Sequence, residues 1–463
     1  MKKVVLSVDI GASSGRVIVS DLNNNKIQLE EIHRFDNGIS LKGNYYCWNI
    51  KRIFQEIKIG MKKAFDSGYE PISLGIDTWA VDFVLLDEHD LPVTDFVSYR
   101  DGRVSGMFQN VEKVISKEKL YSLTGIQFQE FNTVYQLLAL KEQEPVQWQK
   151  AKTFLMIPDY LHFLLTGKKT NEYTNASSTQ LLNARTRNWD DELIDKLGLK
   201  RELFQEVYQP GSNIGTLKDE LVEELGFDVQ VILPATHDTG SAIVSLPTNE
   251  DTIYISSGTW SLIGVENSSS NCTRKAMEYN FTNEGGVFST YRFLKNVMGL
   301  WIIQEAKKLF DVDYTFEDLA NMAKKSSIQS VVDVDDVRFL NPENMIEEIQ
   351  SYCKETNQKI PETPGEIAYT VFSSLTKSYL KSIEQIEELQ NKKYSTIHII
   401  GGGSKNKLLN KMLAEESERK VFAGPSEATA IGNSIIQFLS LNQIETLQEA
   451  REIVRRSIVL EEY

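Results

Sequence analysis

The sequence predicts an α/β protein built from two related halves. Apolar strand patterns alternate with helical ones along the chain, the order that gives sheets covered by helices. A glycine- and serine-rich hairpin near the N-terminus, centred on Gly11-Ala-Ser-Ser-Gly15-Arg16, has a second copy far downstream at Ser256-Ser-Gly-Thr259. Two such hairpins so widely separated point to a duplicated architecture rather than an array of short repeats. The 463 residues hold two large domains comfortably. The run Ser245-Leu-Pro-Thr-Asn-Glu-Asp251 reads as the linker, giving expected domains at 1–246 and 247–463.

Taken in order, residues 4–10 form an apolar, β-branched run that reads as a buried strand, and residues 17–19 read as its hairpin partner. Asn132-Thr133 is placed to cap a helix through Tyr135, Leu138 and Leu140. Pro158 opens an apolar helix and Gly167 ends it, the usual asymmetry of helix termini. The apolar run at 231–233 leads through Pro234-Ala-Thr-His-Asp238 into small residues that begin a helix. Residues 252–255 and 260–265 are the strands of the second hairpin, and Ser268–Thr273 is a polar loop. The Lys/Glu-rich stretch 384–393 reads as the solvated end of a helix. Residues 397–400 are a strand that turns at Gly401-Gly-Gly-Ser404 into a helix from about Lys407.

Composition removes several function classes. Lys+Arg at 50 against Asp+Glu at 65 leaves a formal charge of −15, which opposes binding to nucleic acid or to an anionic membrane. Asp9 interrupts the apolar N-terminal stretch too early for a signal peptide, and no stretch approaches the ~20 apolar residues that span a bilayer. Three scattered cysteines and five scattered histidines give neither a disulfide framework nor a zinc pattern. The expectation is a cytoplasmic protein, monomeric or weakly self-associating, with small-molecule partners.

Several motifs fail on their own terms. No GxxxxGK[ST] occurs, and the GxGxxG that Gly401 and Gly403 begin is broken by Asn406. Gly11-Ala-Ser13-Ser-Gly15 satisfies GxSxG, but a nucleophile elbow runs from strand to helix, whereas here a strand follows. The same hairpin suits phosphate. Its glycines let backbone approach closely, its serines and N–H groups donate, and Arg16 pairs with an oxyanion. Asp9 at the strand end is a candidate carboxylate for a divalent cation, held through water. A plain turn with an exposed aspartate remains the competing reading. The second hairpin offers the same donors, and the turn at Gly401–Ser404 gives a ribose or base a flat backbone surface. For Asp238 two readings stand: a general base at a strand end, or a helix N-cap. His237 beside it is an orienting hydrogen-bond group rather than a metal ligand.

Together the segments DIGASSGR, GIDTWAVDF, YRD, HDTGSA, SSGTW and GGGSKN resemble the FGGY carbohydrate kinases. That resemblance implies a two-lobed actin-like (ribonuclease-H-like) fold with a catalytic cleft, an N-terminal domain for sugar and phosphate and a C-terminal domain for nucleotide. The longer segments EIHRF, NEYTNASSTQLLN, TNEGG and LKNVMGLW resemble the members acting on L-rhamnulose rather than on glycerol, xylulose or gluconate. The implied reaction is transfer of the ATP γ-phosphoryl group to the C1 hydroxyl of that ketose, with Mg²⁺. Carried over by position, Asp238 is the proton acceptor, and Ala80, His237, Asp238, Thr239 and Asn296 contact sugar. Ala12, Ser13, Ser14, Gly15, Arg16, Thr259, Gln304 and Gly402 contact ATP. Ala80 departs from the family pattern, which has glycine there, and its methyl bears on the choice of sugar. The rival expectations are a kinase of another ketose, such as L-fuculose or L-xylulose, and an actin-like ATPase without sugar kinase activity.

Overall fold

The computed structural model describes residues 1–340 and 342–463. The chain divides into two compact units. The first comprises residues 1–248, 266–293 and 429–457; the second comprises 249–265, 294–428 and 458–463.

The first unit is organised on a six-stranded sheet. Strands Lys2–Ile10, Ser14–Asn23 and Lys26–Asp36 form an antiparallel meander, with Ile10 opposite Gly15 at the first turn. Strand Tyr69–Thr78 lies parallel to the first strand on its other side, with Asp77 beside Asp9, and Gln230–Ile232 follows parallel to it. The run Val4–Ile10 is buried because helices cover the sheet, with Val4, Leu6, Val8 and Ile10 packed into an apolar core and Ser7 and Asp9 carrying polar groups on the alternate face. One of these helices is Ile50–Asp66, which crosses over to the fourth strand. It buries Ile50, Ile53, Ile57, Met61 and Ala64, the three-and-four spacing of one helix face, and Asn49 caps it by accepting from the Arg52 N–H.

The second unit repeats this plan. Strand Ile253–Ser257 pairs antiparallel with Trp260–Asn267 on one side and parallel with Thr396–Ile400 on the other. Lys420–Ala423 extends the parallel part. The hairpin duplication expected from the sequence is therefore a duplication of sheet topology. It arises because each Gly/Ser turn sits between the first two strands of its own sheet.

Helix Ile157–Thr166 begins with Pro158 in its first turn and ends at Gly167 in the left-handed region (φ 78°), as expected. Two local expectations need correction. Asn132 does stand at the start of helix Thr133–Gln143, but its side chain does not cap; its amide donates instead to the carbonyl of Gln127 and to Gln180 Oε1. The stretch 384–393 is not simply solvated. It contains the end of the long helix Pro364–Gln390, where Ile386 and Glu387 are buried and Glu387 pairs with Lys393 and Arg419. Arg419 neutralises a glutamate that by composition alone belongs on the surface. Among the described residues no helix is long and apolar enough to cross a membrane.

Candidate functional site

The candidate residues fall into one constellation in each unit. In the first, the turn between strands Lys2–Ile10 and Ser14–Asn23 is closed by the Gly11 N–H donating to the Ser14 carbonyl at 2.9 Å. Asn37 braces it from the side, donating from Nδ2 to the Gly11 carbonyl at 2.8 Å and from its N–H to the Ser13 carbonyl at 3.0 Å. Ala12, Ser13 and Ser14 remain accessible at the tip while Gly15 is buried. Arg16, opposite Asp9 in the register, pairs with its carboxylate at 2.5 Å. Asp9 is a hard oxygen donor suited to a divalent cation that keeps most of its water and takes phosphate oxygens besides. It is the residue that would hold such a cation. Among the described residues no group of three or more His, Cys, Asp and Glu side chains is arranged as a closed metal cage.

Asp77, next to Asp9 on the fourth strand, is fully buried and accepts from Asn433 Nδ2 at 2.6 Å. Burial pushes its carboxyl well above the usual range; the charges of Asp9 and Asp238 push the same way, while the Asn433 bond opposes them. The segment after this strand is constrained from several directions. Trp79 lies on Trp48 with ring centroids 4.1 Å apart, and both indole N–H groups donate to Asp82 Oδ2. Between Ala80 and Asp82, Val81 adopts φ 65°, which a β-branched residue takes only under constraint. The constraint is visible: Ser178 Oγ accepts from the Val81 N–H at 3.3 Å, and Thr133 Oγ1 donates to its carbonyl at 2.7 Å. Ala80 is thus presented by a backbone bend that neighbouring side chains hold in place.

The loop leading to Asp238 is pinned to the same strand, the Thr78 N–H donating to the Thr236 carbonyl at 2.9 Å. Buried Glu172 fastens it further, accepting from the Thr236 N–H at 3.0 Å and from Thr236 Oγ1 at 2.7 Å. Helix Asp238–Val244 then begins. Asp238 is its first residue and His237 occupies the N-cap position, so the carboxylate does not serve the cap bond that the simplest alternative requires. Asp238 Oδ1 instead accepts from the Thr239 N–H at 2.6 Å and from Thr239 Oγ1 at 3.2 Å, and His237 Nε2 lies 3.5 Å away. Burial raises the Asp238 carboxyl above its ordinary value; His237 and the Thr239 donors pull it down, and Asp9 raises it. Its side chain nonetheless keeps 32% of its exposure, so it is open to a ligand. This neighbourhood collects Asp9, Arg16, His237, Asp238 and Thr239, with Ala80 two residues beyond Thr78.

In the second unit the turn Gly258-Thr259 is gripped by the start of helix Trp301–Lys308. The Leu300 N–H donates to the Gly258 carbonyl at 2.9 Å, and the Gly299 and Trp301 N–H groups each donate to the Thr259 carbonyl at 3.2 Å. From that helix, Gln304 Oε1 accepts from Thr259 Oγ1 at 3.4 Å. The glycine turn after strand Thr396–Ile400 packs on the same strand end: a Cβ on Gly403 would lie 2.0 Å from Ser257 Oγ, which is why glycine stands there. Gly402 beside it faces open space. Thr259, Gln304 and Gly402 are therefore close neighbours of one strand end, while Asn296 lies on strand Tyr291–Met298 of the same unit.

Four charged residues of the first-unit constellation escaped sequence reasoning: Asp77, Glu172, Glu284 and Arg292. Buried Arg292 pairs with Glu284 at 3.1 Å and reaches His237 Nδ1 at 3.0 Å. The segments carrying them (GIDTW, NEYTN, TNEGG) are distinctive, but nothing in their spacing assigns chemistry to these positions.

Comparison with known proteins resolves the family. The N-terminal domain of the FGGY carbohydrate kinases matches residues 4–245, and the C-terminal domain matches residues 253–441. The chain belongs to the FGGY family of carbohydrate kinases. A relative named "Rhamnulokinase" from Oceanobacillus iheyensis is 60% identical over 100% of this chain and 98% of its own length. Another of that name, from Halalkalibacterium halodurans, is 57% identical over 99% of this chain and 98% of its length. Among solved structures, gluconate kinase from Lactobacillus acidophilus superposes with TM-score 0.81 at 18% identity, covering 98% of this chain and 92% of that one. The two-domain α/β architecture is accordingly the actin-like fold of FGGY sugar kinases, and this FGGY kinase is an enzyme that phosphorylates a sugar.

Proposed function

We propose that the enzyme transfers the γ-phosphoryl group of ATP to the C1 hydroxyl of L-rhamnulose, with Asp238 accepting the hydroxyl proton. The observation that carries the choice of sugar is full-length similarity, at 60% and 57% identity, to two proteins named for that activity. Support for Asp238 is geometric. Its carboxylate is accessible, its described contacts fall on Oδ1, and the phosphate-type hairpin with Asp9 and Arg16 belongs to the same neighbourhood.

Phosphoryl transfer leaves a protein mainly positioning and charge stabilisation. In this reading Ser13, Ser14 and the hairpin N–H groups donate to phosphate oxygens, and Arg16 exchanges Asp9 for an oxyanion. Asp9 would hold Mg²⁺ through water, and the ion would supply neutralisation of the polyphosphate charge. Ala80, His237, Thr239 and Asn296 orient the ketose. Asp238 removes the proton as the C1 oxygen bonds to the γ-phosphorus and the bond from that phosphorus to the β–γ bridging oxygen breaks, with ADP leaving. Thr259, in the second hairpin, donates to phosphate as well, and Gln304 and Gly402 hold the rest of the nucleotide. The domain spanning 1–246 then serves phosphate and most of the sugar contacts, and that spanning 247–463 serves nucleotide and supplies Asn296. The three free cysteines suit a cytoplasmic enzyme, which we take to be monomeric or weakly associating. The deciding experiment is a coupled ADP-release assay with Mg²⁺ across L-rhamnulose, L-fuculose, L-xylulose and D-xylulose. A best substrate other than L-rhamnulose overturns the sugar assignment, and ADP release independent of any sugar overturns the kinase reading.

A further inference from the structure

The mechanism above leaves unused a buried ion pair lying directly behind His237. Arg292 is 1% exposed and is the largest fully buried side chain among the described residues; Glu284 is 5% exposed. Arg292 Nη2 stands 3.0 Å from His237 Nδ1 and 3.1 Å from Glu284 Oε2, and Arg292 Nε donates to the Gly285 carbonyl at 2.8 Å. Glu284 Oε2 is itself 3.3 Å from His237 Nδ1. Burying this pair costs solvation that only good geometry repays, so its place beside a candidate substrate residue asks for a reason.

Donor and acceptor chemistry supplies one. A guanidinium has five N–H donors and no acceptor, so the atom it faces must carry a lone pair. A proton on Nδ1 would oppose an Arg292 N–H at 3.0 Å inside the protein. The rival arrangement, Nδ1–H donating to Glu284 Oε2, uses the longer contact and sets that N–H against the Arg292 N–H at 3.0 Å. With Nδ1 as acceptor the ring proton sits on Nε2, and Nε2 is the atom 3.5 Å from Asp238 Oδ1.

We propose that Arg292, held by Glu284, is a positioning residue that fixes His237 as the Nε2–H tautomer, so that the ring presents its N–H to Asp238 Oδ1. The Thr239 N–H and Thr239 Oγ1 already bond that oxygen, and the His237 Nε2–H faces it from 3.5 Å. Oδ1 is occupied as an acceptor, and Oδ2 is the oxygen left to take the sugar proton. This assignment rests on Asp238 as the proton acceptor only for its catalytic consequence; the tautomer stands or falls independently.

The test is long-range ¹⁵N–¹H correlation spectroscopy of the full-length enzyme labelled at histidine nitrogen. Five histidines make the spectrum assignable, with His237→Gln identifying the relevant signals by their loss. The expected result at neutral pH is a protonated Nε2 and a bare Nδ1 at His237. A protonated Nδ1, alone or together with Nε2, overturns the proposal. A second arm uses the paired variant Arg292→Met with Glu284→Gln, which removes both charges and leaves no uncompensated ion. The expected result is a shift of His237 toward the Nδ1–H form and a kcat lower by about ten- to a hundred-fold, with the ATP KM unchanged. An unchanged His237 spectrum in the folded paired variant also overturns the role. If Asp238→Asn proves fully active while the wild-type spectrum is as expected, it is the base assignment that fails and not the tautomer.

Discussion

Replacing Gly432 by alanine sets two opposed effects against each other, and the structure decides between them. Gly432 lies inside helix Ala428–Ser440, where alanine is normally favoured by roughly 1 kcal/mol. Here a Cβ would lie 1.7 Å from the Ser241 carbonyl oxygen, 2.6 Å from the Ser241 carbonyl carbon and 3.2 Å from Val244 Cβ. Comfortable carbon contacts begin near ~3.5 Å, so one helix must retreat by about 1.5–2 Å. The obstacle is backbone, and Ser241 is tied down by its N–H donating to the His237 carbonyl and its hydroxyl donating to the Ala235 carbonyl. Overpacking costs about 1–3 kcal/mol even where side chains give way, so the net effect is a loss of roughly 1–2 kcal/mol or more despite the propensity gain. The displaced element is helix Asp238–Val244, which carries the proposed proton acceptor at its first residue. A displacement of ~1 Å at reacting groups costs about a hundred-fold, and kcat should fall accordingly. Urea unfolding and steady-state kinetics on the same preparation read both quantities. A variant as stable as wild type or more so, with kcat intact, would refute the close approach and the coupling together.

Asp238→Asn should lower kcat at least about a hundred-fold with Tm and ATP affinity near wild type, because asparagine keeps an oxygen for the Thr239 donors; near-normal kcat would exclude the base role. Arg16→Ala should weaken ATP use by about 1.5–3 kcal/mol while leaving sugar binding without nucleotide unchanged, and full turnover at low ATP would remove the hairpin from phosphate binding. Because burial first of all raises the Asp238 carboxyl, the acidic limb of the kcat profile should lie above the ordinary carboxylate range; a limb at or below that range contradicts it. Asp82 is pushed up to about 6 from 3.8 by burial, against hydrogen bonds from Trp48, Trp79, Gln136 and Tyr99. The folded state thus holds this proton more tightly than the unfolded chain. Its contribution is present below pH ~4 and is lost as pH rises through about 6, by at most ~3 kcal/mol. Unfolding free energies between these limits should fall less for Asp82→Asn than for wild type, and identical slopes would count against the shift.

What could be read from the sequence was local. Strands Lys2–Ile10 and Ile253–Ser257 announce themselves by β-branched runs, and their Gly/Ser turns fix both hairpins. Asp238 was visible because an apolar run ends just before it. What stayed hidden depends on distant segments. Nothing near Arg292 shows that it reaches His237, and Asp77 is understood only through Asn433, 356 positions away. Glu387 reads as surface until Arg419 is brought against it. Val81 carries no sign of its positive φ, since the side chains that impose it come from other elements.

The way helix Ala428–Ser440 joins the first unit bears on how the chain is made. Asn433, Ser434 and Gln437 from this helix bond to Ser7, Ser20, Ser73 and Asp77, all of them buried on the first sheet. A ribosome finishes those strands some 350 to 430 residues before it makes their partners. At ~5–20 residues per second the delay is on the order of half a minute. Throughout it the sheet face must stay hydrated, because its hydroxyls and its carboxyl have only water to bond with. Vectorial synthesis therefore cannot complete the first unit in passing, and residues 294–428 are translated while that unit is still open. A stop codon at 428 would not trim a tail. It would leave the earliest-made sheet permanently waiting for the segment that dries it.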